Sequence, residues 1–159
     1  MSTEVMDLVI DYDIPPYAEK SLIILPVKPE HEMDQSKYVV YASTVTSVMK
    51  LLKANDIPIR LAVEGGREVA YQENRSFDWF APTILITASL LSQNPQLVSI
   101  AINLISSYIY EIFKGKSADP STRCTFAYIG KGKKKKVHYE GPVSGLSKIP
   151  DIIKEIDRE

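Results

Sequence analysis

The stretch WFAPTILITASLLSQNPQLVSIAINLISSYIY, from Trp79 to Tyr110, decides the fold. Its 32 residues carry no charged side chain, although 25% of the 159-residue chain is charged. Apolar surface left in water is unfavourable, so a run of this length needs cover. We therefore expect the other segments to pack on this stretch, to flank it or to solubilise it.

Two helices are predicted here, forming a central apolar pair over residues 78–114. In the first helix, Asp78 is a suitable N-cap and Pro82 falls in the first turn, where a missing N–H does no harm. In the second, over residues 95–114, Asn94 is the N-cap and proline occupies the first position. Twenty helical residues span about 30 Å.

The second helix has a polar stripe. Its polar residues recur at steps of three and four, which places them on one face; they are Gln96, Ser99, Asn103, Ser106, Ser107, Tyr110, Glu111 and Lys114. A membrane-spanning helix needs about 20 predominantly apolar residues. We therefore favour a helix of the core or of an oligomer interface. Peripheral membrane association through residues 95–114 is kept as an alternative.

Six residues of the stretch are candidates for contact with a partner. Aromatic side chains at its start could anchor another protein, although they also suit a core. The stripe is mostly Ser, Asn and Gln rather than Lys and Glu, and such a face can pack closely against another protein surface. The candidate interface residues are Trp79, Phe80, Ser99, Asn103, Ser106 and Tyr110.

Length and charge favour one domain over residues 1–159, with no bulk attraction to nucleic acid or membrane. The net charge is −1. Residues 1–35 hold eight acidic and two basic side chains, a balance of −6, within an acidic part ending near residue 36. Residues 114–138 hold eight basic and one acidic side chain, a balance of +7. Such poles could associate head to tail, but two solvated faces account for them as well, and we favour the second interpretation.

The order of the remaining elements favours an α+β fold. Residues 21–27 (SLIILPV) are predicted to form a buried strand or an edge strand that ends at its proline. Residues 59–64 and 68–72 are predicted to form a hairpin, joined at Gly65-Gly66. Apolar residues at helical spacing predict a short C-terminal helix over residues 146–156. We expect an antiparallel sheet with two hairpins, packed against the central helical pair.

The second predicted hairpin belongs to the basic part of the chain, residues 122–158. Its register follows from burial, because pairing Phe126 with Val137 gathers the apolar side chains of both strands on one face. Lys131-Gly132 then forms a two-residue turn. In this register Cys124 and His138 point to opposite faces, so we predict an inert buried cysteine and no Cys/His nucleophile pair.

No catalytic, metal or nucleotide motif stands out, and no cofactor is predicted. His31 lies among acidic residues, but the segment lacks the ligand spacing of zinc and calcium sites. Gly130-Lys131-Gly132 superficially suggests a phosphate loop, yet a Walker motif opens a helix, whereas this segment joins two strands. We therefore predict that the protein is not an enzyme.

A lysine cluster is the most specific surface feature. Repulsion among these side chains opposes their close packing, so a partner could compensate: nucleic-acid backbone, an acidic protein surface, or water and salt alone. Lysines also protect a sheet edge from aggregation. Nucleic-acid surfaces usually add arginines and stacking aromatics, and only Tyr128 is near. The candidate anion- or partner-binding residues are Lys131, Lys133, Lys134, Lys135 and Lys136.

The function predicted from the sequence is that of a non-enzymatic interaction or accessory protein. It would self-associate or bind a protein partner, such as an enzyme or effector that it regulates. Anion binding through the lysine cluster is the second hypothesis. The single cysteine and the absence of a secretory signal favour the cytoplasm.

Overall fold

A mixed β-sheet organises the fold, and helices pack on one of its faces. The computed structural model describes residues 2–8, 15–26, 38–42, 44–62, 68–72, 79–80, 83–113 and 121–159. Of residues 2, 38–40, 42, 79 and 80 it describes the backbone alone. The class is α+β, as predicted.

The described elements follow one another in an interleaved order. The strands are β1 (Ser2–Asp7), β2 (Leu22–Leu25), β3 (Tyr38–Ala42), β4 (Ile59–Leu61), β5 (Glu68–Gln72), β6 (Trp79–Phe80), β7 (Thr83–Thr87), β8 (Ser121–Gly130) and β9 (Lys133–Pro142). The helices are α1 (Val45–Ala54), α2 (Ala88–Gln93), α3 (Leu97–Ile112) and α4 (Ile149–Arg158). Short 3₁₀ segments cover Pro16–Glu19 and Val143–Lys148.

The main sheet has the strand order β1-β9-β8-β7-β2-β4, and β6 also pairs with β8. β1, β9 and β8 are antiparallel neighbours, whereas β7 is parallel to β8 and β2 is parallel to β4. The prediction of an antiparallel sheet is therefore wrong. Parallel neighbours need a long crossover connection. Here α2 and α3 lie between β7 and β8, and α1 lies between β2 and β4.

The predicted helical pair is only half correct, because its first member is mostly a strand. Residues Thr83–Thr87 form β7 in the middle of the sheet, and α2 begins only at Ala88. Ile84, Leu85 and Ile86 are all buried. A strand buried on both faces gives a continuous apolar run, and periodicity alone does not distinguish that run from a buried helix. The predicted caps Asp78 and Pro82 lie outside the described residues.

The second predicted helix is confirmed with shorter bounds. α3 runs from Leu97 to Ile112, and Gln96 rather than Asn94 occupies its N-cap position. Asn94 is instead the C-cap of α2. The segment of Lys114 lies outside the described residues.

The predicted hairpin of residues 59–64 and 68–72 is wrong. β4 lies at the edge of the main sheet, parallel to β2, and β5 pairs with β3, also in parallel. The segment around Gly65-Gly66 is outside the described residues. Turn residues predict a reversal of the chain, but the partner of each strand is set by the crossover connections. The strand predicted at residues 21–27 is confirmed as β2, which lies inside the sheet between β7 and β4.

The second hairpin is confirmed in the predicted register. Phe126 pairs with Val137, and the turn is Lys131-Gly132. Both turn residues have positive φ, 52° and 76°, which is typical of the tight turns that match strand twist.

The core lies mainly on the helical face of the sheet. Residues Ile84, Phe126 and Val137 of three adjacent strands contact the buried faces of α1, α3 and α4 there. A smaller cluster, which includes Ile23 and Leu85, occupies the opposite face near the segment of Pro16–Glu19. On the helical face, the described helices α1, α3 and α4 therefore form a layer over the sheet.

Candidate interaction surface

α3 is the central helix of that layer. It contacts α1 on one side and α4 on the other. α1 also contacts β4 at one end of the sheet, and α4 contacts β9 towards the other. The inner face of α3 is buried against the sheet, with Ala101, Ile105 and Ile109 among the buried residues. The apolar face that could have entered a membrane is therefore part of the core.

The outer face of α3 is uncharged from Gln96 to Tyr110, and exposed Glu111 follows it at the end of the helix. Its most outward residues, which we call the α3 seam, follow one another at steps of four, three, four and three; they are Gln96, Ile100, Asn103, Ser107 and Tyr110. All five are exposed, with Ile100 at 48% and Tyr110 at 41%. This spacing is that of the contact positions in a helix that packs lengthwise on another helix.

The predicted interface residues divide into three groups. Asn103 and Tyr110 are exposed on the seam. Ser99 and Ser106 are half-buried at its flanks, and Ser106 Oγ donates a hydrogen bond to the Ile102 carbonyl at 2.9 Å. The side chains of Trp79 and Phe80 lie outside the described part, although their backbones pair with β8. Sequence reasoning missed Ile100, because it was assigned to the apolar face.

Charged side chains lie on both sides of the seam. Lys50 and Lys53 are exposed on α1. Asp151 and Glu155 are exposed on α4, where Arg158 lies 3.7 Å from Glu155. Exposed Glu111 lies at the end of α3, so charges of both signs surround the seam.

The lysine cluster is divided between the two faces of the sheet. Lys131 Nζ donates to the Asp157 carbonyl at 2.9 Å and lies 3.3 Å from the Asp157 carboxylate. Lys133 Nζ donates to the Ile156 carbonyl at 2.9 Å. These carbonyls belong to the last turn of α4, where the helix dipole favours a cation. Two of the five lysines therefore hold the end of α4.

A third lysine pairs with the N-terminal strand. Lys135 Nζ lies 2.7 Å from Asp7 Oδ1, and this hydrogen bond and the lysine charge lower the pKa of Asp7. Lys134 and Lys136 alternate with it, so they point to the opposite face of β9. Within the described residues neither of these two has an ion pair. Because β9 lies between β1 and β8, the lysines do not protect an open edge.

A buried tyrosine also connects the hairpin to α4. Tyr128 is 1% exposed, and its hydroxyl donates to Asp157 Oδ1 at 2.5 Å. Burial, followed by the neighbouring carboxylate, raises the pKa of Tyr128 well above its usual range. Tyr128, Lys131 and Lys133 thus all bind the last turn of α4, a structural role that explains their position without a ligand.

The strongest candidate for catalysis is a row of polar side chains on β8 and β9, which we call the polar ladder. It lies on the face of these strands that points away from the helices, which we call the open face. His138 Nδ1 lies 2.9 Å from Thr125 Oγ1, and its Nε2 lies 3.1 Å from Glu140 Oε1. Arg123 Nε is 3.7 Å from the same oxygen. The hydrogen bond with His138, and then the charge of Arg123, lower the pKa of Glu140. The predicted register already placed Thr125 opposite His138, so this pair could have been found from the sequence.

The ladder has the connectivity of a hydroxyl, a base and an orienting carboxylate. A neutral His138 imidazole that donates its Nε2–H to Glu140 would accept a hydrogen bond from the Thr125 hydroxyl at Nδ1. Acyl transfer also needs donors for the oxyanion. Thr125 pairs with His138 in the ladder of β8 and β9, and the pairing of β8 with β7 begins at Phe126. The ladder is better explained as cross-strand pairing. Cys124, as predicted, is buried on the other face.

The described residues contain no group of three or more His, Cys, Asp or Glu side chains that could hold a metal ion. The acidic segment around His31 lies outside them. No described helix has both the length and the hydropathy that crossing a bilayer requires.

Comparison with models of protein families, with curated proteins and with solved structures gave no match for this chain. The function is therefore argued from the geometry above.

Proposed function

We propose that this chain is a non-enzymatic interaction protein that binds a protein surface, its own included, through the α3 seam. The exposure of Ile100 and Tyr110 on a helix face that is uncharged from Gln96 to Tyr110 is the observation that carries the proposal. Large apolar side chains grouped on one exposed face are typical of contact surfaces. In this role the protein would act as an accessory to an enzyme or effector in the cytoplasm, where its free cysteine would stay reduced.

Replacing the two exposed anchors tests this proposal. In Ile100→Lys/Tyr110→Lys, two charges would enter the contact and oppose its desolvation. We expect wild-type protein at about 100 μM to sediment above its monomer mass of 17.8 kDa, and the double variant to sediment at that mass. Ser121→Lys, exposed on the face of the sheet that points away from the helices, adds one charge outside the helical layer and serves as the control.

Two results would contradict the proposal. If wild-type protein remains at monomer mass over the whole concentration range, self-association through the seam is excluded. A double variant with the same association as wild type would place the contact elsewhere. Both variants are on exposed positions, so their thermal unfolding should stay within a few degrees of wild type.

Anion binding remains a second candidate because Lys134 and Lys136 are not used by α4 or by Asp7. Together with Arg123, they could contact the phosphates of a nucleic-acid backbone on the open face of the sheet. Glu4 and Glu140 lie on that face too, and they weaken its positive potential. Nucleic acid is therefore not the favoured partner. Retention on single-stranded DNA that is insensitive to salt, or to Lys134→Ser/Lys136→Ser, would exclude this site.

A further inference from the structure

The turn between β8 and β9 already binds an acidic group, which belongs to the same chain. We infer that this turn is a binding site for the phosphate group of a small molecule, and that the last turn of α4 closes it. The donors of the site, which we call the hairpin cradle, are the hydroxyl of Tyr128 and the ammonium groups of Lys131 and Lys133. None of them belongs to the α3 seam, so the inference is independent of the proposed function.

The cradle donors converge on one carboxylate and two main-chain carbonyls of α4. Tyr128 Oη donates to Asp157 Oδ1 at 2.5 Å, and Lys131 Nζ lies 3.3 Å from Asp157 Oδ2. Lys131 also donates to the Asp157 carbonyl, and Lys133 donates to the Ile156 carbonyl, both at 2.9 Å. A phosphate group carries three strong acceptor oxygens on one atom. A single phosphate could therefore accept from all three donors in place of these acceptors.

The tyrosine gives the cradle a fixed donor. Tyr128 is buried in a strand that is paired on both sides. A Cβ on Gly130 would clash with Ala88 Cβ and would lie 3.1 Å from Tyr128 Oη. Glycine at this position therefore lets the backbone come close to the hydroxyl, as it does where a backbone approaches a ligand. The segment Gly130-Lys131-Gly132 is no Walker motif, but its lysine does hold an anion.

Charge favours a phosphate over the carboxylate that now occupies the cradle. Two lysines surround the single carboxylate of Asp157, which neutralises only one of them. Lys135, two residues further along β9, is paired with Asp7, and Arg158 of α4 lies 3.7 Å from Glu155. A phosphate group carries about −1.5 to −2 charges at pH 7, which matches the two lysines of the cradle. Hydrogen bonds between ionised partners are also the stronger ones.

The last turn of α4 can leave the cradle without exposing the core. Ile156 is the last buried residue of the helix, and Arg158 and Glu159 are exposed. The last four carbonyls of a helix have no partner within it, so the cradle donors hold this turn in place. Helix ends of this kind open at a low free energy. Opening would also take the carboxylates of Asp157 and Glu159 away from the lysines.

The phosphate and the last turn of α4 would compete for the same donors. When only a fraction of the molecules is open, the apparent affinity for the ligand is reduced by that fraction. Loosening the turn should therefore tighten phosphate binding, although it adds no contact to the phosphate. An ordinary basic surface would not respond in this way, because the loss of a carboxylate outside the site is screened by salt.

Removal of the internal carboxylate tests this competition. Asp157→Ala leaves all three cradle donors in place, and we expect it to bind inorganic phosphate about tenfold more tightly than wild type. Chemical shifts of the Gly130 and Gly132 amides during a titration measure the affinity at the site itself. Glu155→Ala removes the same charge from an exposed position on the same helix, and this control should change the affinity less than about twofold.

A second set of variants identifies the donors. In the Asp157→Ala background, Lys131→Ser/Lys133→Ser should abolish the gain in affinity. Lys134→Ser/Lys136→Ser removes the same charge from the open face and should preserve that gain. Thermal unfolding shows whether each variant is folded. Asp157→Asn, which keeps an acceptor for Tyr128, replaces Asp157→Ala throughout if the alanine variant does not fold.

The outcomes are distinct. A gain with Asp157→Ala that Glu155→Ala lacks, and that the first lysine pair removes, supports the cradle. An equal gain with Glu155→Ala would reduce the effect to bulk charge, and loss of the gain with the second lysine pair would place the anion on the open face; either result overturns the inference. Binding of a short single-stranded DNA without binding of inorganic phosphate would overturn the small ligand. No binding of phosphate by any variant would overturn the site.

Discussion

At the scale of single residues, Thr87 joins the sheet to the first helix that follows it. It is the last residue of β7 and the N-cap of α2. Its hydroxyl accepts a hydrogen bond from Leu90 N at 3.2 Å and donates one to the Ala18 carbonyl at 2.8 Å. The side chain is buried, so no solvent replaces either partner.

Thr87→Val should therefore destabilise the protein. Valine keeps the shape but leaves the Leu90 N–H and the Ala18 carbonyl without their partner, which costs about 2–3 kcal/mol. Urea unfolding followed by circular dichroism measures this loss. Thr83→Val, at the half-exposed start of the same strand, is the control and should change stability by less than about 0.5 kcal/mol. Equal effects at both positions would contradict this role of Thr87.

Tyr128 should make the free energy of unfolding depend on pH in the alkaline range. Its pKa is raised in the folded protein, so folding favours the protonated hydroxyl. This contribution is complete below the unfolded pKa of about 10 and is lost as pH rises towards the folded value. The free energy of unfolding should fall above about pH 10 in wild type, and the fall should be smaller in Tyr128→Phe. Equal pH profiles for the two proteins would show that the hydroxyl does not couple folding to pH.

At the scale of elements, the sequence correctly predicted the helices and strands whose packing partners are close in the chain. The register of β8 with β9 followed from the alternation of Phe126, Tyr128 and Val137 and from a turn of two residues. α3 and α4 followed from their apolar stripes. β7 was assigned to a helix because Ile84, Leu85 and Ile86 are buried on both sides of the strand. The parallel pairs β7/β8 and β2/β4 depend on crossover connections, which local patterns do not specify.

Two pairs of residues in the lysine cluster should have different roles, one in stability and the other in anion binding. Lys131→Ser/Lys133→Ser removes the donors to the last turn of α4 and should destabilise the protein by about 1 kcal/mol. Lys134→Ser/Lys136→Ser removes the same net charge from the opposite face and should leave thermal unfolding almost unchanged. A heparin column measures the other property, and the second pair should lower retention more than the first. The opposite order in either measurement would contradict the division of roles.

The candidate surface was predictable only in part. The uncharged stripe at Asn103 and Tyr110 was visible in the sequence as a helix face. Which side of the helix carries exposed apolar residues depends on the angle at which α3 meets the sheet, so Ile100 was assigned to the core. The flanking charges of α1 and α4 are distant in the sequence, and only the sheet order places them on either side of α3.

At the scale of the whole molecule, the first strand of the acidic part lies beside the basic hairpin. β1 carries Glu4 and Asp7 and pairs along its length with β9, which carries the lysines. Part of the opposite charge is thus neutralised within one chain, which weakens the case for head-to-tail association of the two poles. We therefore propose the helical layer, on the other side of the sheet from Lys134 and Lys136, as the surface for self-association.

The absolute mass of the wild-type protein in solution tests this account most directly. Light scattering behind size exclusion, over a range of concentrations at low and at high salt, should show a dimer of twice 17.8 kDa. The dimer should persist in high salt, because the seam residues are uncharged. A dimer that high salt dissociates completely would move the contact to the charged strands. A monomer at every concentration in both salts would contradict the central claim.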